Sequence, residues 1–321
     1  MGERTLRADL HLHSDHSGLK QLRFLRMRDC YSAPLDVYRR AKWRGMDLVT
    51  LTDHDTIDGC LEIRDRLNDP ADFFMSEEVE TFLPGNRTMH IGVFGITEGE
   101  HREIQRLRRD FEDLVGYLEE RRIPSALNHL FRGHRPELGI EEYLRPLVRR
   151  FGLFETRNGT QSARYRRLME RSIAHFRGGI PSQPHGECGG SDAHTLARIG
   201  RTWTECPGRD RASFLENLRA GRGVAAGADG SLFPLARDVY SVVFSYYGTL
   251  FGIGRVRFGA GERWPGALFC LATLPAQFVA FPLLATCWNR LAKRIGLQRI
   301  ESALDTSDSA PGMEVAAELE L

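Results

Sequence analysis

Short apolar runs alternate with amphipathic stretches from the N-terminus to about residue 200, which predicts repeated strand and helix units around a mostly parallel sheet. The first strand is expected over residues 6–13. A helix follows with Ser32 as its N-cap, Pro34 in its first turn and Gly45 at its stop, burying Leu35, Tyr38 and Ala41. Residues 47–52 are nearly all apolar or β-branched and read as a strand covered on both faces, which delivers Asp53, His54 and Asp55 at its end. Later runs repeat the arrangement: HIGVFGI opens with His90, residues 123–127 lead to Asn128 and His129, and residues 153–156 lead to Asn158 and Gly159. Ile104, Leu107, Phe111, Leu114, Val115 and Leu118 recur at helical spacing, and the Arg/Glu-rich side opposite them reads as a solvated helix face.

From about residue 230 the pattern changes. Residues 239–254 and 265–288 carry no charge, and the second run is long enough to cross a bilayer as a helix. Pro275, Gln277 and Pro282 interrupt it, while Arg263, Arg290, Lys293 and Arg294 flank it. A buried or membrane-surface helical appendage is therefore expected ahead of a membrane hairpin. Residues 301–321 are acidic with Ser, Pro and Gly and are expected to be disordered. This gives three parts: 1–230, 231–300 and 301–321.

With 44 Lys and Arg against 43 Asp and Glu, the net charge of +1 provides no basic footprint for nucleic acid. The six cysteines contain no CxxC pair, and MGERTLRADL lacks a secretory apolar run. A cytoplasmic location is expected, with peripheral membrane contact through 239–288.

Histidine changes the picture most. Seven of the eleven histidines sit in or beside strand-like runs: His11, His13, His16, His54, His90, His129 and His194. In a strand, His11 and His13 project from one face and can share a metal. TDHDT adds Asp53 and His54, and GGSDAHT adds Asp192 and His194 in a glycine-flanked turn. SEEVET offers Glu77, Glu78 and Glu80. Alternation turns Glu78 and Glu80 to one side, which leaves two candidates for a carboxylate bridging two cations. Imidazole nitrogens and carboxylates together suit Zn, Mn or Fe.

The motifs DLHLHS, LTDHDTIDG, the glutamate segment before HIGVFGI, LNHL and GGSDAH occur in an order that resembles the PHP (polymerase and histidinol phosphatase) domain superfamily, over about residues 9–230. The likeness is to its stand-alone metal-dependent phosphoesterases. It implies an α/β fold, a distorted seven-stranded (β/α) barrel, with two or three divalent metal ions (Zn, Mn or Fe) at the C-terminal rim. It assigns His11, His13, Glu78 and Asp192 to one metal, and lets Glu78 bridge to a second held by His90 and His129. A third would use His54 and His194 with a residue following HxH. Relatives often carry Asp where this chain has Gly18, so Asp15 or His16 is the expected substitute and a two-metal site the alternative.

Asp53 is expected to orient an imidazole, to carry a proton or to cap its turn. Asn158 is expected to line the pocket, and Gly159 to take a left-handed backbone position. Arg198, ahead of Arg132, Arg135 and Arg201, is the candidate phosphate fork. Cys188 reads as a loop thiol. The implied reaction is hydrolysis of a small phosphorylated metabolite or nucleotide, with His54 and His194 steadying the phosphoryl or leaving oxygen and Asp53 moving a proton. The competing readings are a metal-dependent amidohydrolase or deacetylase, and a metal-binding module without turnover.

Overall fold

The computed structural model describes residues 4–18, 27–132, 134, 139–177, 186–256, 258–279 and 281–309. In chain order the elements are β1 (Arg4–Ala8), α1 (Pro34–Trp43), α2 (Asp58–Leu67), β2 (Ser76–Leu83), β3 (Arg87–Phe94), α3 (Glu98–Leu107), α4 (Phe111–Glu120) and β4 (Ser125–Asn128), followed by α5 (Ile140–Arg150), β5 (Leu153–Asn158), α6 (Ala163–Arg177), β6 (Gly186–Gly190), β7 (Thr202–Gly208), α7 (Arg211–Arg219) and β8 (Val224–Gly227). Three long helices end the described chain: α8 (Leu232–Leu250), α9 (Ala260–Val279) and α10 (Phe281–Ser309).

The strands form two sheets, ordered β1-β7-β8 and β2-β3-β4-β5-β6. The α/β alternation is as expected, but a single closed seven-stranded barrel is not what the ladders build. Only β4–β5 and β5–β6 pair in parallel; the other described ladders are antiparallel. Isolated parallel bridges, Ala8 to Leu48, Leu12 to Ala193, Val49 to Phe73 and His54 to Glu78, link segments lying outside the ladders. The expected strand over 47–52 is one such segment. Its N–H groups divide among different neighbours, Asp47 and Leu48 donating to the Arg7 carbonyl, Val49 to Asp72 and Thr52 to Leu12, so no continuous ladder forms. Its apolar side chains are nonetheless buried, as the pattern required.

Ala33 rather than Ser32 precedes α1, with no side-chain cap, and Pro34 opens the helix. Gly45, at φ +83°, follows its end in the left-handed conformation that only glycine adopts at little cost. The helical spacing over 104–118 belongs to two helices. Asp110 interrupts it by accepting hydrogen bonds from the N–H groups of Glu112 and Asp113, which starts α4 anew.

No helix among the described residues is long and apolar enough to cross a membrane. Instead, α8 packs against α10, and α10 returns to the main core, where Leu297, Ile300 and Leu304 are buried in one cluster with Tyr143, Leu147 and Leu168. Pro282 lies in the first turn of α10, where the missing N–H costs nothing. Arg164 pairs with Glu301, and Arg171 with Asp305 at 2.6 Å, so residues 301–309 continue α10 and correct the expectation of disorder there. Residues 310–321 lie outside the described residues. Trp264, Leu268, Leu271, Leu284 and Trp288 are exposed on α9 and α10.

Candidate metal centre

His11 and His13 follow β1, and the bridge from Leu12 to Ala193 turns both imidazoles toward the loop after β6. The backbones approach so closely that a Cβ on Gly190 would stand 2.6 Å from the His11 nitrogen and overlap the His11 Cβ. Asp9 fixes this junction by accepting from the N–H groups of Ser191 and Gly200, each at 2.8 Å, and His11 at 3.3 Å. Burial pushes its carboxyl up to about 6, against those bonds.

Glu78, fully buried on β2, is the hub. Its Oε1 lies 3.3 Å from His11 Nε2, 3.0 Å from His90 Nδ1 and 3.4 Å from His129 Nε2, while Oε2 lies 2.9 Å from His54 Nδ1 and 3.8 Å from His13 Nε2. Asp192 Oδ1 is 3.6 Å from His11 Nε2, 3.5 Å from His13 Nε2 and 3.6 Å from His194 Nδ1. Glu77 points the other way, toward His101 and Gln105, and Glu80 approaches His90 Nε2 at 3.4 Å.

All eight residues expected as ligands meet here, in four overlapping groups: His11, His13 and Asp192; His11, Glu78 and His129; His54, Glu78 and His90; His13, His54 and His194. The grouping differs from the expected one in a detail. His90 and His129 both approach Glu78 Oε1, at 3.0 Å and 3.4 Å, but in the compact groups each joins it with a different second imidazole, His54 and His11 respectively. His129 and Asp192 have φ of +50° and +49°, a left-handed conformation uncommon outside glycine, so the fold holds these two strand-end residues against a local preference.

The electrostatics follow from this crowding. Burial opposes ionisation of Glu78 and Asp192, yet the surrounding imidazoles outweigh it and hold both carboxyls well below their usual range. Burial also opposes a charge on His11, but Glu78, Glu155 and Asp192 raise its pKa well above the ordinary value. For His13, burial and then the neighbours His194 and His54 lower it to about 3.

The donor set fits divalent cations. His11 Nε2 and His13 Nε2 are buried and satisfied by no hydrogen bond. The opposite nitrogens are held in place: His11 Nδ1 lies 2.6 Å from Glu155 Oε1, and His13 Nδ1 lies 3.2 Å from Ser17 Oγ. A carboxylate or hydroxyl behind an imidazole is how proteins orient a ring toward a metal. Glu78 is oriented in turn by Asn128, which donates to Oε1 at 3.1 Å.

Two of these residues were missed in the sequence. Glu155, inside the strand-like run expected over residues 153–156, is a buried acid among apolar and β-branched neighbours, and that isolation was its signal. Asp29 stands where a replacement for Gly18 was sought, its Oδ2 lying 3.5 Å from His54 Nε2 and 3.7 Å from His194 Nε2. Burial opposes its ionisation, but the hydrogen bond to His194 lowers its carboxyl to about 2. The two residues expected in this role are engaged elsewhere. Asp15 pairs with Arg255 at 3.1 Å and accepts from Arg28 through its carbonyl, and His16 pairs with Glu62 at 3.2 Å.

Other expectations shift as well. Asp53 accepts from the Ser14 N–H and hydroxyl, both at 2.6 Å, and so ties its turn to the HxH segment. Burial raises its carboxyl to about 7. Asn158 is buried behind the cluster, donating to both Glu155 oxygens and to Asp192. It braces ligands rather than facing open space. Arg198 is buried against Asp238 of α8, with Nε at 2.6 Å and Nη2 at 2.5 Å from Oδ2, and also donates to the Gly159 carbonyl. Cys188 is a buried thiol, and Arg135 lies outside the described residues.

The cluster opens on a cavity of about 690 Å³. His54, Glu78, His90, His129, Asp192 and His194 border it, as do Arg132 and Lys293, which have no ion-pair partner among the described residues. Lys293 approaches Gln161 Oε1 at 3.4 Å.

The PHP-associated family matches residues 184–222, the segment that carries Asp192 and His194, and bears out the superfamily resemblance of the motifs. An uncharacterized protein of Methanocaldococcus jannaschii is 36% identical over 59 residues, which are 18% of this chain and 34% of that protein; the match thus spans about a third of that relative's length. Among solved structures, a two-domain protein of Bacteroides vulgatus, described as containing a predicted PHP-like metal-dependent phosphoesterase, superposes at a TM-score of 0.48 with 16% identity, covering 70% of this chain and 66% of that one. PsfC of Pseudomonas syringae gives 0.48 with 16% identity over 76% and 99% of the two chains, and an amidohydrolase of Chromobacterium violaceum gives 0.44 with 19% identity over 60% and 89%.

Proposed function

We propose that this PHP-like chain is a metal-dependent hydrolase whose substrate is a phosphoester. The observation that carries the reading is one cavity bordered both by the Glu78–Asp192 cluster with its imidazoles and by Arg132 and Lys293, two cationic side chains without a carboxylate partner among the described residues. In this reading His11, His13, Asp192, Glu78, His90 and His129 would hold two cations, and His54, His194 and Asp29 would hold a third. When bound, such ions supply Lewis-acid polarisation of a phosphoryl oxygen and lower the pKa of the attacking water. Glu155 and Ser17 keep the His11 and His13 rings aimed, and Asn128 keeps Glu78 aimed. Arg132 and Lys293 attract the phosphoryl oxygens, the task expected of Arg198, whose guanidinium is committed to Asp238. The side of the cavity formed by His54 and His194 is where the leaving oxygen would be steadied, by the charge these residues and Asp29 would hold there. Asp53 acts by holding Ser14, which keeps the HxH segment in register with the turn after residue 52.

Two unpaired cations favour an anionic ester over a neutral amide. The test is the full chain loaded with Mn, Zn or Fe and offered phosphomonoesters, phosphodiesters and N-acyl amides. Phosphoester hydrolysis is expected, and Asp192→Ala or His11→Ala loses bound metal and activity together. Retention of both in either variant, or hydrolysis confined to amides, would overturn the proposal.

A further inference from the structure

The cavity is bordered by two chemically different sets of side chains. One is the ligand cluster with Arg132 and Lys293. The other is Leu235, Val239, Val242 and Val243 of α8 with Leu297 and Ile300, which follow Lys293 on α10. On α8 the positions 235, 239 and 242 are spaced by four and three residues, so they form one stripe along the helix, and 297 and 300 do the same on α10. The four α8 side chains stay half-buried where they border the cavity, although α8 buries Tyr246, Tyr247 and Leu250 one to two turns further on. Apolar surface has thus been left facing open volume beside a polar site. On this stretch of α8 the polar cavity residue is Asp238, and it is occupied by Arg198 and Thr195. A sugar or other hydroxyl-rich leaving group would find few partners on the α8–α10 side, the polar lining of Thr160, Gln161 and Tyr165 lying on other elements, and a cavity of about 690 Å³ is far larger than a phosphoryl group requires.

We infer that the alcohol portion of the substrate carries a hydrocarbon segment of several carbons, which the α8–α10 wall covers while Arg132 and Lys293 face the phosphoryl group. The inference rests on the phosphoesterase reading and adds the class of ester. The reaction is hydrolysis: the oxygen of water bonds to phosphorus, the bond from phosphorus to the alcohol oxygen breaks, and the alcohol leaves protonated with inorganic phosphate as the other product.

The experiment measures kcat/KM of the metal-loaded full chain on ethyl, butyl, hexyl and octyl phosphate, kept below micelle-forming concentration, beside glycerol phosphate and a nucleoside monophosphate. Each methylene that reaches the wall raises kcat/KM by up to about fourfold, so a rise of at least about tenfold from butyl to octyl phosphate is expected. Val239→Asn and Val242→Asn, at half-buried positions, should flatten that dependence on chain length. Should either variant fail to fold, the wild-type series still decides. A flat or falling series alongside measurable ethyl phosphate hydrolysis overturns the inference and leaves the phosphoesterase reading intact, as does a nucleoside monophosphate that outperforms octyl phosphate. Release of phosphate from none of these monoesters overturns the inference, and the phosphoesterase reading falls with it only if phosphodiesters are not hydrolysed either.

Discussion

Asp238→Ala separates the two roles that Arg198 could have. The guanidinium is 5% exposed, and its bonds to Asp238, at 2.6 Å and 2.5 Å, join the turn after β6 to α8. Thr195 Oγ1 donates to the other carboxylate oxygen at 2.9 Å. Truncating Asp238 leaves a buried positive charge with only the Gly159 carbonyl, a loss that typically costs about 3–5 kcal/mol. The adjoining cavity admits water, so the lower end applies: about 3 kcal/mol, or roughly a hundredfold in the ratio of folded to unfolded protein. Urea unfolding with a slope near 3 kcal/mol per molar should show a midpoint about 1 M lower with the slope unchanged. Arg198→Met should fall by a similar amount, since it strands the buried carboxylate instead, and the pair Arg198→Met with Asp238→Leu should recover most of the loss. If Asp238→Ala shifts the midpoint by less than a third of this while Arg198→Met raises KM for phosphoesters, the guanidinium serves substrate rather than structure and the reasoning fails.

Glu155→Gln should weaken metal binding by about 10- to 100-fold with little change in melting temperature, because it loosens the hold on the His11 ring. A chelator competition that finds wild-type affinity would refute this. Asp29→Ala should lower the number of ions retained per chain, read by elemental analysis against wild type; an unchanged count would remove Asp29 from the ligand set. Gly190→Ala should give protein that melts early and holds less metal, since the new methyl group and His11 cannot occupy the same volume. Wild-type melting and metal content together would contradict it.

The parts of the centre that can be read from sequence are those with a local signature. HxH in an extended segment must put both rings on one side, and strand alternation already separated Glu77 from Glu78 and Glu80. Alternation alone left Glu78 and Glu80 open and the family resemblance pointed to Glu78; which of them faces His11 and His54 is physically a matter of how β2 meets segments from elsewhere in the chain. Asp29 was hidden for the same reason: it lies well past the HxH motif and reaches His54 and His194 only through tertiary folding. Residues 47–52 showed the burial of a strand but not how their hydrogen bonds would be divided. The uncharged runs after residue 230 fit membrane and interior equally well. What the pattern does not show is that α8 would pack against α10 and that α10 would return to the main core through Leu297, Ile300 and Leu304.

One turn of α10 borders the cavity with Lys293, and the next turns seat Leu297, Ile300 and Leu304 in the interior. On the proposed reading, this 29-residue helix would be a selectivity element that also serves as a beam. Relatives with a different terminal helix would be expected to choose different molecules, and grafting this one onto them would transplant its preferences only if the underlying seat came along. Changes in what the protein accepts and in how firmly it stands would be inherited together.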